Sequence, residues 1–407
     1  MIRLLSDLPA VRAHNLSRVL TLIHRTGSMS RADLVRQSGL SATTISSLVG
    51  DLLASGFVHE SGTGVSSGGR PPILLQFDYK FRHVLGVDIG ATHIHVIVMD
   101  FRGDIVASRF CRIDVIVDPH GTIAAIRRLL QEVLDEAPLA LEQISGLGVT
   151  IPTPLAGEKL DTLTTIYMPA WEGVDLLAQI ADAFALPVYL DNDANAGAVA
   201  EKWWGQGQAY DNLAYIKLGV GVGSGLILNG EIYRGSGGTA GEIGHTTINV
   251  DGPPCRCGNR GCMESYVGAN ALVTAVKQLC QERAQPAAGE RVLTVGDIAA
   301  AALEGDPVCS EVVQRTGAYL GTAIANLLNL LNPALIILGG DLVAAGDLLL
   351  DAVCAAVRQR AMPKASAESE IVISRLGRDA VAIGAATLAI QNAFRPSRLA
   401  HTLAPAS

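Results

Sequence analysis

Four metal-type donors fall within eighteen consecutive positions of this chain: His245, closing Gly241-Glu-Ile-Gly-His, then Cys255, Cys257 and Cys262 in Cys-Arg-Cys-Gly-Asn-Arg-Gly-Cys. One imidazole and three thiolates are a complete ligand set for a closed tetrahedral zinc site. Gly258 and Gly261 let the backbone double back so that the sulfurs can meet. A disulfide would strand one thiol, and nothing at the N-terminus resembles a secretory signal. Structural Zn2+ is the expected occupant. Any fold of this chain must therefore bring residue 245 alongside 255–262.

Of the 407 residues, 49% are hydrophobic and 17% charged, which excludes a largely disordered protein and allows two or three domains. Gly, Pro or a charge interrupts every apolar run before it reaches bilayer length. Cys111, Cys280, Cys309 and Cys354 lie in apolar stretches and read as buried free thiols. A cytoplasmic location without a membrane partner fits these features. Residues 1–80 carry eight Lys+Arg against five Asp+Glu, whereas the remainder carries 23 against 34. Only the front end suits a polyanion.

That front end reads as a winged helix-turn-helix over residues 1–80, with its wing and linker. Leu16, Val19, Leu20 and Ile23 recur at helical spacing. Ser30 and Asp33 can cap a second helix that stops at Gly39, and Ser41 opens a third with a buried stripe of Ile45, Leu48, Val49 and Leu52. Ser41, Thr43, Thr44, Ser46 and Ser47 then offer hydroxyls to DNA with no carboxylate before Asp51. Strands at 57–60 and 73–77 would form the wing. Gly69-Arg70-Pro71 between them has the form of a minor-groove hook, with Arg70 entering a narrow AT-rich groove; the tripeptide alone is equally a plain hinge.

From residue 83 the texture becomes α/β. Three glycine-rich turns follow strands: Asp88-Ile-Gly90-Ala-Thr92, Leu218 to Gly225 with Gly221 and Gly223, and Gly339-Gly340-Asp341. Together they suggest two α/β lobes closing over a nucleotide or its vestige. Asp191-Asn-Asp-Ala-Asn195 follows a short strand at 188–190 and opens a helix, so Asp193 reads equally as a helix cap or as a proton acceptor for a substrate hydroxyl. Glu242 and Glu264 bracket the expected zinc site.

In these motifs the chain resembles the ROK family, which groups bacterial repressors with sugar kinases, and more narrowly its DNA-binding repressor branch. The resemblance implies an actin-like, hexokinase-type body of two lobes: 81–196, completed by a C-terminal helix near 380–393, and 197–379 with the zinc site. It implies zinc on His245, Cys255, Cys257 and Cys262, and sugar hydroxyls on Asn192, Asp193, Glu242, His245 and Glu264. In kinase members the aspartate matching Asp193 is the base for phosphoryl transfer. Here Val220 replaces the Thr of the usual Gly-Thr-Gly, Ala91 replaces a Gly, and Ile151-Pro-Thr153-Pro departs from a usual Pro-Gly. The first two departures weigh against ATP and Mg2+.

The expected protein is thus a sugar-responsive repressor without catalytic residues, binding double-stranded operator DNA as a homodimer or a dimer of dimers. The rival is an active sugar kinase with an appended DNA-binding head, in which Asp193 is catalytic. Glucose, xylose, N-acetylglucosamine and oligosaccharides all remain open as the sugar. His93, His95, Trp171, Trp203 and Trp204 read as packing residues.

Overall fold

A computed structural model describes residues 8–65, 71–156, 162–163, 168–283 and 294–402. Its front end comprises α1 (Leu8–Thr26), β1 (Ser28–Ser30), α2 (Arg31–Ser38), α3 (Ala42–Ala54), β2 (Val58–Thr63) and β3 (Ile73–Phe77). Ser30 and Asp33 form a reciprocal capping box on α2, and Gly39 ends it in the left-handed conformation at φ 68°. Ser41 caps α3, whose Ile45, Leu48, Val49 and Leu52 are fully buried. This is the winged helix-turn-helix expected from the caps and periodicity. It also has a third strand: β1 pairs antiparallel with β3, giving a sheet ordered β1-β3-β2. Ser-Met-Ser is too short to show a period of two, so only its pairing reveals it.

The body begins with β4 (His83–Ile89), β5 (His93–Asp100) and β6 (Ile105–Arg112), continues through α4 (Pro119–Glu136) and β7 (Ile144–Ile151), and forms a small hairpin of β8 (Leu155–Ala156) and β9 (Thr162–Leu163). After α5 (Leu176–Phe184), β10 (Val188–Asn192) completes a sheet ordered β10-β7-β4-β5-β6. Helix α6 (Asp193–Trp203) leads to β11 (Leu213–Leu218), β12 (Val222–Leu228) and β13 (Glu231–Ile232). Helices α7 (Glu264–Val267), α8 (Ala269–Glu282), α9 (Val295–Leu303) and α10 (Pro307–Leu331) follow, then β14 (Leu335–Gly340), α11 (Asp347–Arg360), α12 (Pro363–Glu368) and β15 (Glu370–Ile373). The second sheet is ordered β13-β12-β11-β14-β15. Each sheet is an antiparallel three-strand meander extended by two parallel strands.

Two helices hold the sheets together. Helix α13 (Ala380–Ala393) packs on β4 and β7 of the first sheet and on α6, which in turn lies on β11 and β12 of the second. It is apolar all round and buried along its length, as a helix covered on every side must be. The last helix, α14 (Pro396–Thr402), returns to α1. Front end and body consequently share one core. Leu20, Ile23 and Phe77 belong to the same buried cluster as Met99, Phe101, Ile390 and Phe394.

Several expectations are corrected. The second glycine turn is shorter than its sequence suggests: β12 starts at Val222, so Gly223 and Gly225 are strand residues and the turn is 219–221. Gly339 and Gly340 end β14 and are not a loop. The first wing strand is shifted to 58–63 and carries a bulge between Glu60 and Gly62. Cys280 and Cys309 are buried, but Cys111 and Cys354 are only partly so.

Candidate functional site

The His245–Cys262 segment folds into a tight knuckle. The Gly258 N–H donates to the Cys255 carbonyl and the Cys255 N–H to the Asn259 carbonyl, closing the turn between the first two cysteines. Gly261 has φ 66°, and a Cβ there would lie 1.6 Å from the Asn249 carbonyl oxygen, so only glycine fits. The donor atoms of His245, Cys255, Cys257 and Cys262 all lie within 4.8 Å of one another, and these residues form a group able to hold a metal ion. Around zinc, bonds of about 2.3 Å to sulfur and about 2.0 Å to nitrogen give tetrahedral S···S edges of about 3.8 Å and S···N edges of about 3.5 Å. Here Cys257 and Cys262 Sγ are 3.7 Å apart, and Cys255 Sγ is 3.6 Å from His245 Nδ1. Burial and the neighbouring sulfurs push the Cys262 thiol up to about 12. Three thiolates here therefore need a cation, and the donor set fits zinc.

His245 turns its other nitrogen, Nε2, toward Glu242, at 3.9 Å from Oε2. Burial, then the nearby Asp193 and Glu264 carboxylates, push Glu242 up to about 7. Around neutrality it can either donate to or accept from a hydroxyl. Glu264 is buried at the start of α7, accepts the Val222 N–H at 2.9 Å and holds Arg256 through two contacts of 2.8 and 3.2 Å. Arg256 stands between two of the cysteines, so the knuckle and the 219–221 turn meet through Glu264.

Glu242 lies near both His245 and Asp193, and Asn192 directly precedes Asp193, but Asn192 and Asp193 also have local duties. Asn192, rather than Asp193, caps α6: its Oδ1 accepts the Ala194 and Asn195 N–H groups, while its Nδ2 donates to Thr153 O at 3.3 Å. Asp193 is the first helical residue, 6% exposed, with Oδ2 2.5 Å from Lys217 Nζ. Asp191 accepts from Asn195 and from Arg234. Lys217 belongs to β11 and Arg234 follows β13, so both pairs join the end of the first sheet to the second lobe.

At the first glycine turn, Asp88 is buried at the end of β4 and contacts His93 Nε2 at 3.2 Å and Thr150 Oγ1 at 3.3 Å. Burial alone would raise its pKa, but the His93 contact and the nearby Lys217 hold it below the ordinary range. Gly90 donates its N–H to the His93 carbonyl, and the His93 ring folds back over it. His93 is thus a partner of Asp88 as well as a packing residue, stacked on Phe110. Thr92 follows in the same turn.

On α3, Thr43, Ser46 and Ser47 are exposed and Thr44 is half-exposed. Ser41 spends its hydroxyl on the Thr44 N–H, and Ser47 accepts from Arg12 of α1, which also holds Asp51. Arg70 lies outside the described residues. Trp171 is buried and donates to Val115 O, and His95 is buried against Ser108. Trp203 and Trp204 surround His24 of α1 with Phe77, Tyr79 and Phe394 at ring distances of 5.0 to 6.3 Å.

Residues 84–392 match the family model described as the ROK family. The chain belongs to the ROK family. It is 32% identical to the xylose repressor of Caldicellulosiruptor bescii over 92% of this chain and 94% of that protein. Among solved structures it is similar to a ROK family transcriptional regulator, a homolog of the Escherichia coli MLC protein, with a TM-score of 0.82 and 29% identity over 97% of this chain and 99% of that one. A ROK family glucokinase from Streptomyces griseus, in complex with glucose and AMPPNP, is also 29% identical, with a TM-score of 0.69. That match takes in 76% of this chain and 99% of the kinase. Similarity to regulators therefore extends over the front end as well as the two-lobed body. Among the described residues no helix is long and apolar enough to cross a membrane.

The cations of the cleft escape sequence reasoning. Lys217 and Arg234 belong to no motif, and Arg256 sits inside the cysteine motif with no role assigned to it there, yet each pairs with a carboxylate. Lys217 alone leaves a local signal, because it continues the inward phase of β11 after Leu213 and Tyr215.

Proposed function

We propose that this protein is a sugar-responsive repressor of carbohydrate-utilisation genes. One observation carries the reading: α6 begins at Asn192–Asp193 in the cleft and ends at Trp203–Trp204 beneath α1 of the DNA-binding head. A sugar that changes lobe closure moves the seat of the head. It can shift that equilibrium only by its differential affinity for the two arrangements. Asn192, Asp193, Glu242, His245 and Glu264 take the sugar hydroxyls, and Thr43, Thr44, Ser46 and Arg70 face operator DNA, with Ser41 and Ser47 positioned beside them. Functionally the chain divides at residues 80 and 196, with α13 completing the first lobe. A homodimer places two heads on two half-sites, as a single head makes too few contacts for tight binding.

Zn2+ on His245, Cys255, Cys257 and Cys262 is structural in this reading. It fixes the His245 ring, and with it the nitrogen that faces Glu242 and the sugar. An electrophoretic mobility shift on the DNA upstream of the chain's own reading frame, titrated with xylose, glucose and N-acetylglucosamine, tests the function. One of these sugars is expected to release the DNA at least tenfold more effectively than the others. Retention of the complex with every sugar in the panel would sink the inducer reading.

The rival is an ATP- and Mg2+-dependent sugar kinase. Asp193 and the glucokinase similarity favour it; Lys217 on Asp193 and His93 on Asp88 oppose it. A coupled assay of ADP release, with Asp193→Asn as control, separates the two.

A further inference from the structure

A lysine occupies the middle of the cleft, and nothing in the motif pattern requires it. Lys217 is the penultimate residue of β11, in register with Gly223 of β12 and Gly339 of β14. Its strand neighbours on both sides lack side chains, and the Tyr215 ring packs against Gly339 while Ala194 of α6 approaches Gly223. The residues before it on that face, Leu213 and Tyr215, are buried in an apolar cluster with Ala198 of α6. By alternation the next inward position should be apolar as well. Instead the chain extends an ammonium group to 2.5 Å from Asp193 Oδ2.

The partners of that ammonium come from both sides of the cleft. Asp193 follows the last strand of the first sheet, and its Oδ1 accepts the Ala194 N–H at 2.7 Å. Asp88 ends β4, and Asp341 follows β14. Burial opposes the charge on Lys217, but Asp193, Asp88 and Asp341 together outweigh it and hold the lysine charged. A cation only 19% exposed at its side chain is tolerated where such carboxylates lie near it.

We propose that Lys217 is the resident counter-ion of the cleft, a positioning residue whose ion pair holds Asp193 aimed at the sugar and offsets the carboxylates of both lobes, so that closure on a sugar needs neither a nucleotide nor a divalent metal. The sugar-aiming part rests on the reading of Asn192–Asp193 as the sugar turn. Without the ammonium, Asp193 would lose its ion pair and the nearby Asp88 and Asp341 a compensating charge, and the site would recruit a cation from solution.

The test uses the full-length, zinc-loaded protein and the variant Lys217→Met. With MnCl2 alone at about 1 mM, the melting temperature of Lys217→Met is expected to rise by about 3 °C or more, and that of the unaltered protein by less than about 1 °C. A variant that ignores Mn2+, or that responds no more than the unaltered protein, overturns the counter-ion role. If Lys217→Met does not fold, Lys217→Arg decides. A folded Arg variant supports the charge role; failure of the Arg variant to fold overturns it. The mobility shift with xylose, glucose and N-acetylglucosamine adds the second arm. Half-release in Lys217→Met should need at least tenfold more sugar, and Mn2+ should restore it to within about threefold. Should the unaltered protein respond to none of the three, the sugar reading fails, while the Mn2+ shift still judges the role of Lys217.

Discussion

The two five-stranded sheets of the body have the same strand order, yet they bring opposite charges to the seam between them. In two ion pairs that cross it, the acid, Asp191 within β10 or Asp193 just after it, comes from the first sheet, and the base, Lys217 of β11 or Arg234 just after β13, from the second. Repeating a backbone plan has not repeated its chemistry. The second lobe also contributes Glu242 and Glu264 near Asp193, so its cations offset carboxylates from both sides. The lobes also differ in support. The wall of the second is the cysteine knuckle, whereas the first is closed by α13 lying on bare strands.

Metal removal should expose that difference most strongly. A chelator, or Cys257→Ser, is expected to lower the melting temperature by about 10 °C or more, since a structural zinc site contributes several kcal/mol. Hydrogen exchange should then rise across 246–262 and stay unchanged in β7. Equal loosening of both regions would mean that the lobes do not differ in this way.

Next in size are the glycines on which the two central helices rest. A Cβ at Gly148 in β7 would lie 1.7 Å from the Ala385 carbonyl oxygen of α13, and one at Gly225 in β12 would lie 2.3 Å from that of Ala194 in α6. Gly148→Ala should cost about 4 kcal/mol and Gly225→Ala about 2–3 kcal/mol, measured by urea denaturation. The reverse order would place the tighter seat in the second lobe.

Smaller still is Arg234→Gln. It leaves Asp191 buried with Asn195 as its remaining side-chain donor and should cost about 1–2 kcal/mol, because the guanidinium is partly exposed. Arg128→Gln, which breaks an exposed pair with Glu132, should cost less than about 0.5 kcal/mol. If the two substitutions cost the same, the cross-lobe contact is no better than a surface pair.

The mildest effect concerns Glu201 on α6, buried against Ser374 and the Gln206 N–H. Burial raises its pKa, so the folded state keeps this proton to higher pH than the unfolded chain does. Stability should therefore decline as pH rises from the ordinary carboxylate range through the raised value. Glu201→Gln should flatten that decline in melting curves collected between about pH 4.5 and 8; an unchanged slope assigns it to another group.

Legibility in the sequence follows the range of the contacts. The capping box at Ser30 and Asp33 and the stripe on α3 rest on residues three or four apart, and both were readable. So was the donor set of the knuckle, compressed between positions 245 and 262. Lys217 and Arg234 meet their partners 24 and 43 residues away, through a sheet register that no local pattern encodes. The glycines of β12 misled for the opposite reason. Their spacing suggests a phosphate turn, whereas Gly225 admits the α6 backbone and Gly223 flanks Lys217.

The unbroken core beneath α1 has a practical corollary. Phe77 stacks on Phe101 at 5.6 Å, and His24 Nε2 donates at 2.7 Å to the carbonyl of that same Phe101. Severing the chain near residue 80 would turn this aromatic nest outward, and the excised fragment would be an adhesive, misshapen reader of DNA. In the function proposed above, operator affinity then belongs to the intact polypeptide, with the body as the foundation on which α3 acquires its angle.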